Sequence, residues 1–376
     1  MIRRLFQWRN LWRLVKCGLL AGLVVTVVSV SAFLLVARTK QRDFRPIPGA
    51  PDAALAARIA ATPHYQRDED STYLTFPEWY LVFNPQEYAQ HLAAHPPSEF
   101  PYFRGIAQMW GGYTEVYGIA RQHYAFNGGY NLMLVVICTS STVEFGIKGA
   151  YDKTVGRLFE WTAGGRSTPE DRFAAQVAKE YGDFVPTRPW FEFPFGQKLK
   201  ELWTTNDFFG PDFLRKCERK TFLSVEYGFK SVYAAVIRQA SHSVYGVADT
   251  EVYLSAHAIG EASFARQGVR RVADLGNGRW IITVPHYQGF TDTVPLLARD
   301  GVEFEEVGGN NEIMLTLIAP AAWHYDLAGG RPLFAQPSLT GAPLQRVAVQ
   351  VPVTELGAVL REMDAKQLRL EHLFDY

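Results

Sequence analysis

Thr142, Val143, Glu144, Phe145, Gly146, Ile147, Lys148, Gly149, Ala150, Tyr151 is answered position by position by Ser224, Val225, Glu226, Tyr227, Gly228, Phe229, Lys230, Ser231, Val232, Tyr233. At about 100° per helical residue, Glu144, Lys148 and Tyr151 share one narrow sector, and Glu226, Lys230 and Tyr233 share the matching sector of a second helix. The opposite sides carry small residues: Thr142, Gly146, Gly149 and Ala150 in one copy, Ser224, Gly228, Ser231 and Val232 in the other. Such sides let helix backbones approach closely. The expectation is a bundle in which two related helices meet on their glycine-bearing sides and carry a polar cluster of Glu144, Lys148, Tyr151, Glu226, Lys230 and Tyr233.

Working outward, helix signals dominate the chain as far as residue 250. Thr75 with Glu78, and Asn84 with Pro85 and Glu87, have capping-box spacing and predict two helix starts. A further helix is predicted from about Tyr102 to Tyr124. Residues 122–143 carry no charge apart from a titratable His123. They read as a buried bundle helix, with a second membrane span as the alternative, because Asn127, Asn131 and the hydroxyls of 139–142 weaken the apolar run. Gly164 and Gly165 end that helix, Thr168 and Pro169 open the next, and a long one follows Pro211. Between them Trp190, Phe191, Phe193 and Phe195, then Trp203, read as rings at a membrane interface, with Arg215 and Lys216 set to meet anionic headgroups. The other reading of these rings is a cap on the bundle core.

The N-terminal region points to lipid directly. Cys17 to Ala37 is 21 residues without a charge, long enough to cross a hydrocarbon core at about 1.5 Å per residue. Arg3, Arg4, Arg9, Arg13 and Lys16 precede it with no acid among them. The basic flank predicts a bacterial-type inner-membrane anchor with the N-terminus cytoplasmic and the body periplasmic. A cleaved signal peptide is the rival, but the apolar run continues past Val30, Ser31, Ala32.

The last third changes period. Arg279 to Pro285 resembles Arg346 to Pro352, and each is followed by an amphipathic helix and a further strand, over Val302 to Val307 and Leu368 to Leu373. Two βαβ units are expected, with Ile313 to Ala319 as an added strand in one ferredoxin-like sheet of five strands. The predicted fold class is therefore α+β. It comprises a basic segment 1–16, a transmembrane helix 17–37, a linker with a short helix 38–70, an aromatic-rich α-helical domain 71–250 with the duplicated helix motif, and a ferredoxin-like α/β sandwich 251–376.

Chemistry is less legible. With 38 acidic and 38 basic residues the whole-chain field gives no reason to expect nucleic acid. Cys17, Cys138 and Cys217 have no metal spacing. His91 and His95 stand one turn apart without the His-Glu-x-x-His pattern, and neither a phosphate-cradling nor a dinucleotide glycine motif occurs. A glutamate four residues before a lysine stabilises an exposed helix by about 0.2–0.5 kcal/mol, whereas two such pairs buried together could tune a general acid or base. Diiron bundles need a histidine where Ile147 and Phe229 stand. The functional expectation is a non-catalytic binding, scaffold or accessory protein beside the bilayer, with no metal or cofactor and with a protein partner at the C-terminal domain. The alternative is an enzyme or carrier for an apolar or lipid substrate.

Overall fold

The computed structural model describes residues 53–63, 65, 72–123, 126–205, 209–244 and 250–375, together with Ser31. The basic segment 1–16 and, apart from Ser31, the expected anchor 17–37 lie outside the described residues.

Helix α1 covers Ala53–Ala61. Helix α2 runs Phe76–Leu92 without a break and contains Pro85, so the two helix starts expected at Thr75 and Asn84 are one helix. Proline forfeits a backbone bond inside a helix. The polar side chains beside it turn inward: Asn84 and Glu87 are buried, and Glu87 accepts from Ser338 and from the Leu339 amide. Helix α3 is Tyr102–His123 and α4 begins at Gly128, capped by the Asn127 side chain on the Tyr130 amide at 3.0 Å. Helix α4 is regular to Tyr151, makes one π turn over Asp152–Gly156 and resumes over Arg157–Thr162. It stops where Gly164 and Gly165 take positive φ, a conformation that favours glycine. Helix α5, Pro169–Phe184, opens with a reciprocal Thr168–Asp171 capping box. Helices α6, Phe195–Thr205, and α7, Phe213–Val244, complete the helical part.

The strands are β1 Glu251–His257, β2 Arg270–Gly276, β3 Arg279–Pro285 and β4 Glu303–Val307, then β5 Glu312–Pro320, β6 Arg331–Pro337, β7 Leu344–Pro352 and β8 Arg369–Leu373. Helix α8, Gln288–Arg299, links β3 to β4, and α9, Val353–Ala365, links β7 to β8. They form two antiparallel four-stranded sheets, ordered β2-β3-β1-β4 and β6-β7-β5-β8. The α+β class expected from sequence is observed, but the single five-stranded sheet is not. Each βαβ crossover is split by a central strand, β1 or β5, that bonds on both sides. The strand expected as an addition over Ile313–Ala319 is β5, the centre of its own sheet.

Two cores hold the molecule together. Leu254, Ile282, Val294 and Leu297 of the first unit share one apolar cluster with Leu315, Val349, Leu356 and Leu360 of the second. The other face of the second sheet packs on the helices, with Met314, Leu333, Ala348 and Phe374 among Tyr73, Phe76, Tyr80 and Phe83. At Gly112 a Cβ would lie 2.2 Å from the Phe76 ring, so only glycine admits that ring. Arg346 is buried in this junction, paired with Glu371 at 2.5 Å and stacked over Phe83.

Candidate functional site

The four charged residues of the two matching stretches come together between α4 and α7. Lys148 Nζ lies 2.7 Å from Glu226, and Lys230 Nζ lies 2.7 Å from Glu144 and 3.4 Å from Glu226. The pairing is reciprocal because the helices run antiparallel: a glutamate at i and a lysine at i+4 on one helix meet a lysine and a glutamate on the other. One pattern written twice is thereby complementary to itself. The seam continues with Tyr151 stacked on Phe222 at 4.1 Å and bonded to Glu218, Arg219 3.5 Å from Asp152, and Arg215 3.3 Å from Glu160. Asp171 of α5 braces both arginines, at 2.9 Å from Arg215 and 3.2 Å from Arg219.

The π turn keeps the last rung in line. A regular helix would carry Glu160 about 160° round from Glu144, and one additional residue per turn takes about 100° back. The carbonyl of Gly156, inside that turn, accepts from Arg215 Nη1 at 3.0 Å.

Burial and charge compete at each group. Burial alone would raise the Glu226 carboxyl, but Lys148 and Lys230 outweigh it and hold it at about 2. Burial opposes the Lys148 ammonium, yet Glu226 and Tyr88 push it up to about 12. Lys230 is likewise held well above the usual lysine range, burial being overcome by Glu144 and Glu226. Aromatic rings wall the cations in: Tyr88 lies 4.5 Å from Lys148, and Tyr181 and Phe195 lie 5.5 and 5.4 Å from Lys230. Glu226, Lys148 and Lys230 hold one another in their charged forms, and Glu144 closes the cluster through Lys230.

The expected contact of glycine-bearing sides does not form. A Cβ on Gly146 would meet nothing within 4 Å, and one on Gly228 would meet only Leu199 at 3.9 Å. Helix α4 instead uses Gly149, where a Cβ would be 2.7 Å from Tyr102, to seat α3. The charged sectors face each other because isolated buried charges are costly and each helix carries what neutralises the other. Tyr151 joins the seam through Glu218, but Tyr233 stacks against Trp190 instead.

Of the residues assigned to a membrane interface, Arg215 and Lys216 are buried, Arg215 in the seam and Lys216 on the Phe209 carbonyl at 3.1 Å. They do not face outward to headgroups. Phe193 and Phe195 are buried in a cluster with Val177, Leu202 and Tyr227, and Trp190 packs against it. Phe191 is half-buried. Trp203 is exposed, its indole nitrogen bonded to Ser224. Sequence reading missed Asp152, Glu160, Asp171, Glu218 and Arg219. A signal was available for one of them: Arg219 falls within about 20° of Glu226 on a regular helix, whereas Glu218 lies about 80° away.

What faces outward on the two helices is apolar. Leu132, Val136 and Ile147 on α4, and Val225, Phe229, Val232 and Val236 on α7, are exposed, Ile147 at 65% and Phe229 at 70%. Both stripes lie on the same rotational side of their charged sectors, so in an antiparallel pair they open on one face. Every charged residue of α7 between Phe213 and Val236 is turned away from it: Arg215, Lys216, Glu218, Arg219 and Lys220 are buried, and Glu226 and Lys230 stand in the seam. In the described part of 122–143, the stretch expected as a buried helix, Leu134, Cys138 and Thr139 are buried while Leu132 and Val136 are exposed. Of the most apolar stretch in Gly128–Thr162, which is long and apolar enough to cross a membrane, 28% is buried.

Among the described residues no group of three or more His, Cys, Asp or Glu side chains is placed to hold a metal. His91 lies against the Pro96 carbonyl at 3.2 Å and packs beside His95. Comparison with protein-family models, curated proteins and solved structures gives no match to this chain.

Proposed function

We propose that the chain is a membrane-anchored, non-catalytic scaffold or accessory protein whose helical part rests on lipid through the α4–α7 face. The observation that carries this reading is the pair of exposed, charge-poor stripes: contiguous apolar surface of this kind marks an interaction site rather than ordinary protein surface. A lipid occupant is favoured by the 21 uncharged residues from Cys17 to Ala37, which would tether the body to a bilayer with the basic flank on the cytoplasmic side and the body periplasmic. Helix α4 lies along the surface and does not cross it. Its other side is packed on α3, with Trp110 Nε1 bonded to Thr142 at 2.9 Å. Helix α5, which packs on α2 and α7, exposes Lys179 and Asp183, charges that would be costly in hydrocarbon.

The alternative, an enzyme or carrier for an apolar substrate, would use Glu144, Lys148, Glu226 and Lys230 as the polar floor of its pocket. Those side chains are paired with one another, and no observation favours that reading over the first.

The test is photolabelling of the full chain in bilayers by a lipid-borne diazirine, with adducts mapped by mass spectrometry. Adducts on Val225, Phe229 and Val232 as well as within 17–37 are expected. Adducts confined to 17–37 would remove lipid from the α4–α7 face.

A further inference from the structure

The first sheet carries a buried acid that the membrane-facing surface does not use. The register of β1 against β4 shifts between Ser255 and Ala256, opposite Glu306 and Phe304. The shift leaves Glu305 as the additional residue of a β-bulge, which re-aims the side chains beside it. Glu305 is satisfied by Ser255 and Arg279, each at 2.8 Å. Glu306 is 1% exposed, and neither of its carboxyl oxygens has a hydrogen bond of regular geometry. The group beside it is the Tyr65 hydroxyl, which is also buried and lacks such a bond. Tyr65 and Ile59 belong to the α1 segment, which lies over Ile281 and the partly buried Tyr253, Ala273 and Leu275 in a small apolar cluster.

We propose that Ala53–Tyr65 is a pH-sensitive strap, held on the first sheet while Glu306 keeps its proton and loosened when Glu306 loses it. A neutral carboxyl beside Tyr65 is tolerable in that pocket, whereas an unpaired buried carboxylate draws in water. Among the described residues the neighbouring charged groups are engaged elsewhere. From β1, His257 pairs with Glu303 at 2.7 Å and reaches Glu305 at 3.5 Å. From β3, Arg279 pairs with Glu305, and on the strap itself Arg58 is exposed. The strap yields before the sheet does because β4 is held by its ladder to β1, while the described residues of the strap are held by the small apolar cluster and by Tyr65.

The titration range fits. Burial, partly offset by Tyr65 and the Gly309 amide, pushes Glu306 from 4.5 up to about 7. The docked form therefore holds a proton that the loosened form has lost between pH 4.5 and 7. Docking weakens as pH rises through that window, up to about tenfold per unit for one linked proton, and levels off above it.

Hydrogen exchange of the full chain in nanodiscs, corrected for intrinsic rates, reads this directly on peptides covering Ala53–Tyr65. Protection is expected to fall between pH 5 and 7 and then level, with β1 and β3 peptides unchanged. Glu306→Gln, which cannot ionise, should stay protected throughout. If that variant loses protection in β1 and β3, Tyr65→Phe carries the test, because removing the hydroxyl that favours ionisation moves the plateau to higher pH. Wild-type strap protection independent of pH, a Glu306→Gln variant that keeps the wild-type slope, or an unmoved plateau in Tyr65→Phe where that variant carries the test, would overturn the proposal.

Discussion

Lys148 and Glu226 show why the seam must be judged as pairs. Removing one partner of a buried ion pair leaves the other uncompensated, at a cost of about 3–5 kcal/mol, while replacing both with apolar side chains of similar size is often near neutral. Lys148→Ala should therefore destabilise the fold by about that amount in denaturant titrations, and Lys148→Met with Glu226→Met should recover most of it. The pH profile follows from the same two groups. Glu226, depressed from 4.5 to about 2, contributes stability that is present above pH 4.5 and lost as pH falls through 2. Lys148, raised from 10.5 to about 12, contributes stability that is present below pH 10.5 and lost as pH rises through 12. Thermal melts should show no change attributable to this pair between about pH 5 and 10 and losses on both flanks. A pronounced change centred near neutrality that disappears in Lys148→Met with Glu226→Met would contradict this assignment.

At the level of the element, the two glycines of α4 separate the contact that forms from the one expected. Gly146 points to open space and Gly149 lies against Tyr102. Gly146→Ala should stabilise the chain by up to about 1 kcal/mol by removing a flexible residue from a helix. Gly149→Val should cost about 1–3 kcal/mol by overpacking. Equal effects in thermal denaturation would mean that the faces of α4 are assigned wrongly. Periodicity and capping made the helices legible: a short helix lies within 38–70, at Ala53–Ala61, and α5 starts where Thr168 and Pro169 put it. Which face of α4 and α7 turns inward was not legible, because small residues and self-complementary charges both mark a helix contact. The choice is made by α3, whose Tyr102 occupies the glycine side, and by Asp171, which arrives from α5 to brace the arginines. The two sheets were hidden for a related reason. The strands following each helix pattern were visible as apolar runs, but β2 and β6 alternate weakly and hold Arg270, Arg271, Arg331 and Pro332 at exposed or half-buried positions. Without them each unit looks one βαβ long.

Over the whole molecule, the helical part and the second sheet share a core, and residues 374 and 375 help to close it. Phe374 is fully buried among Phe76, Phe334 and His372, and Asp375 accepts from the Tyr287 amide and lies 2.8 Å from His286. Tyr287 has a φ of 57°, a strained value for a bulky residue, and the bond to Asp375 helps hold it there. Phe374→Ala should cost about 3–5 kcal/mol, and the helical and strand signals should still melt together; separate transitions would mean the two parts are independent domains. The central claim concerns the outer face of α4 and α7. Its most direct measurement is a fluorophore attached at Val232→Cys, in a chain whose three native cysteines are replaced, with the protein in bilayers of lipids brominated at defined chain depths. Quenching by bromines near the headgroup end of the acyl chains is predicted at Val232, and none at a label on Lys179 of α5. An unquenched label at Val232, as solvent-exposed as the one at Lys179, would contradict the lipid-facing assignment.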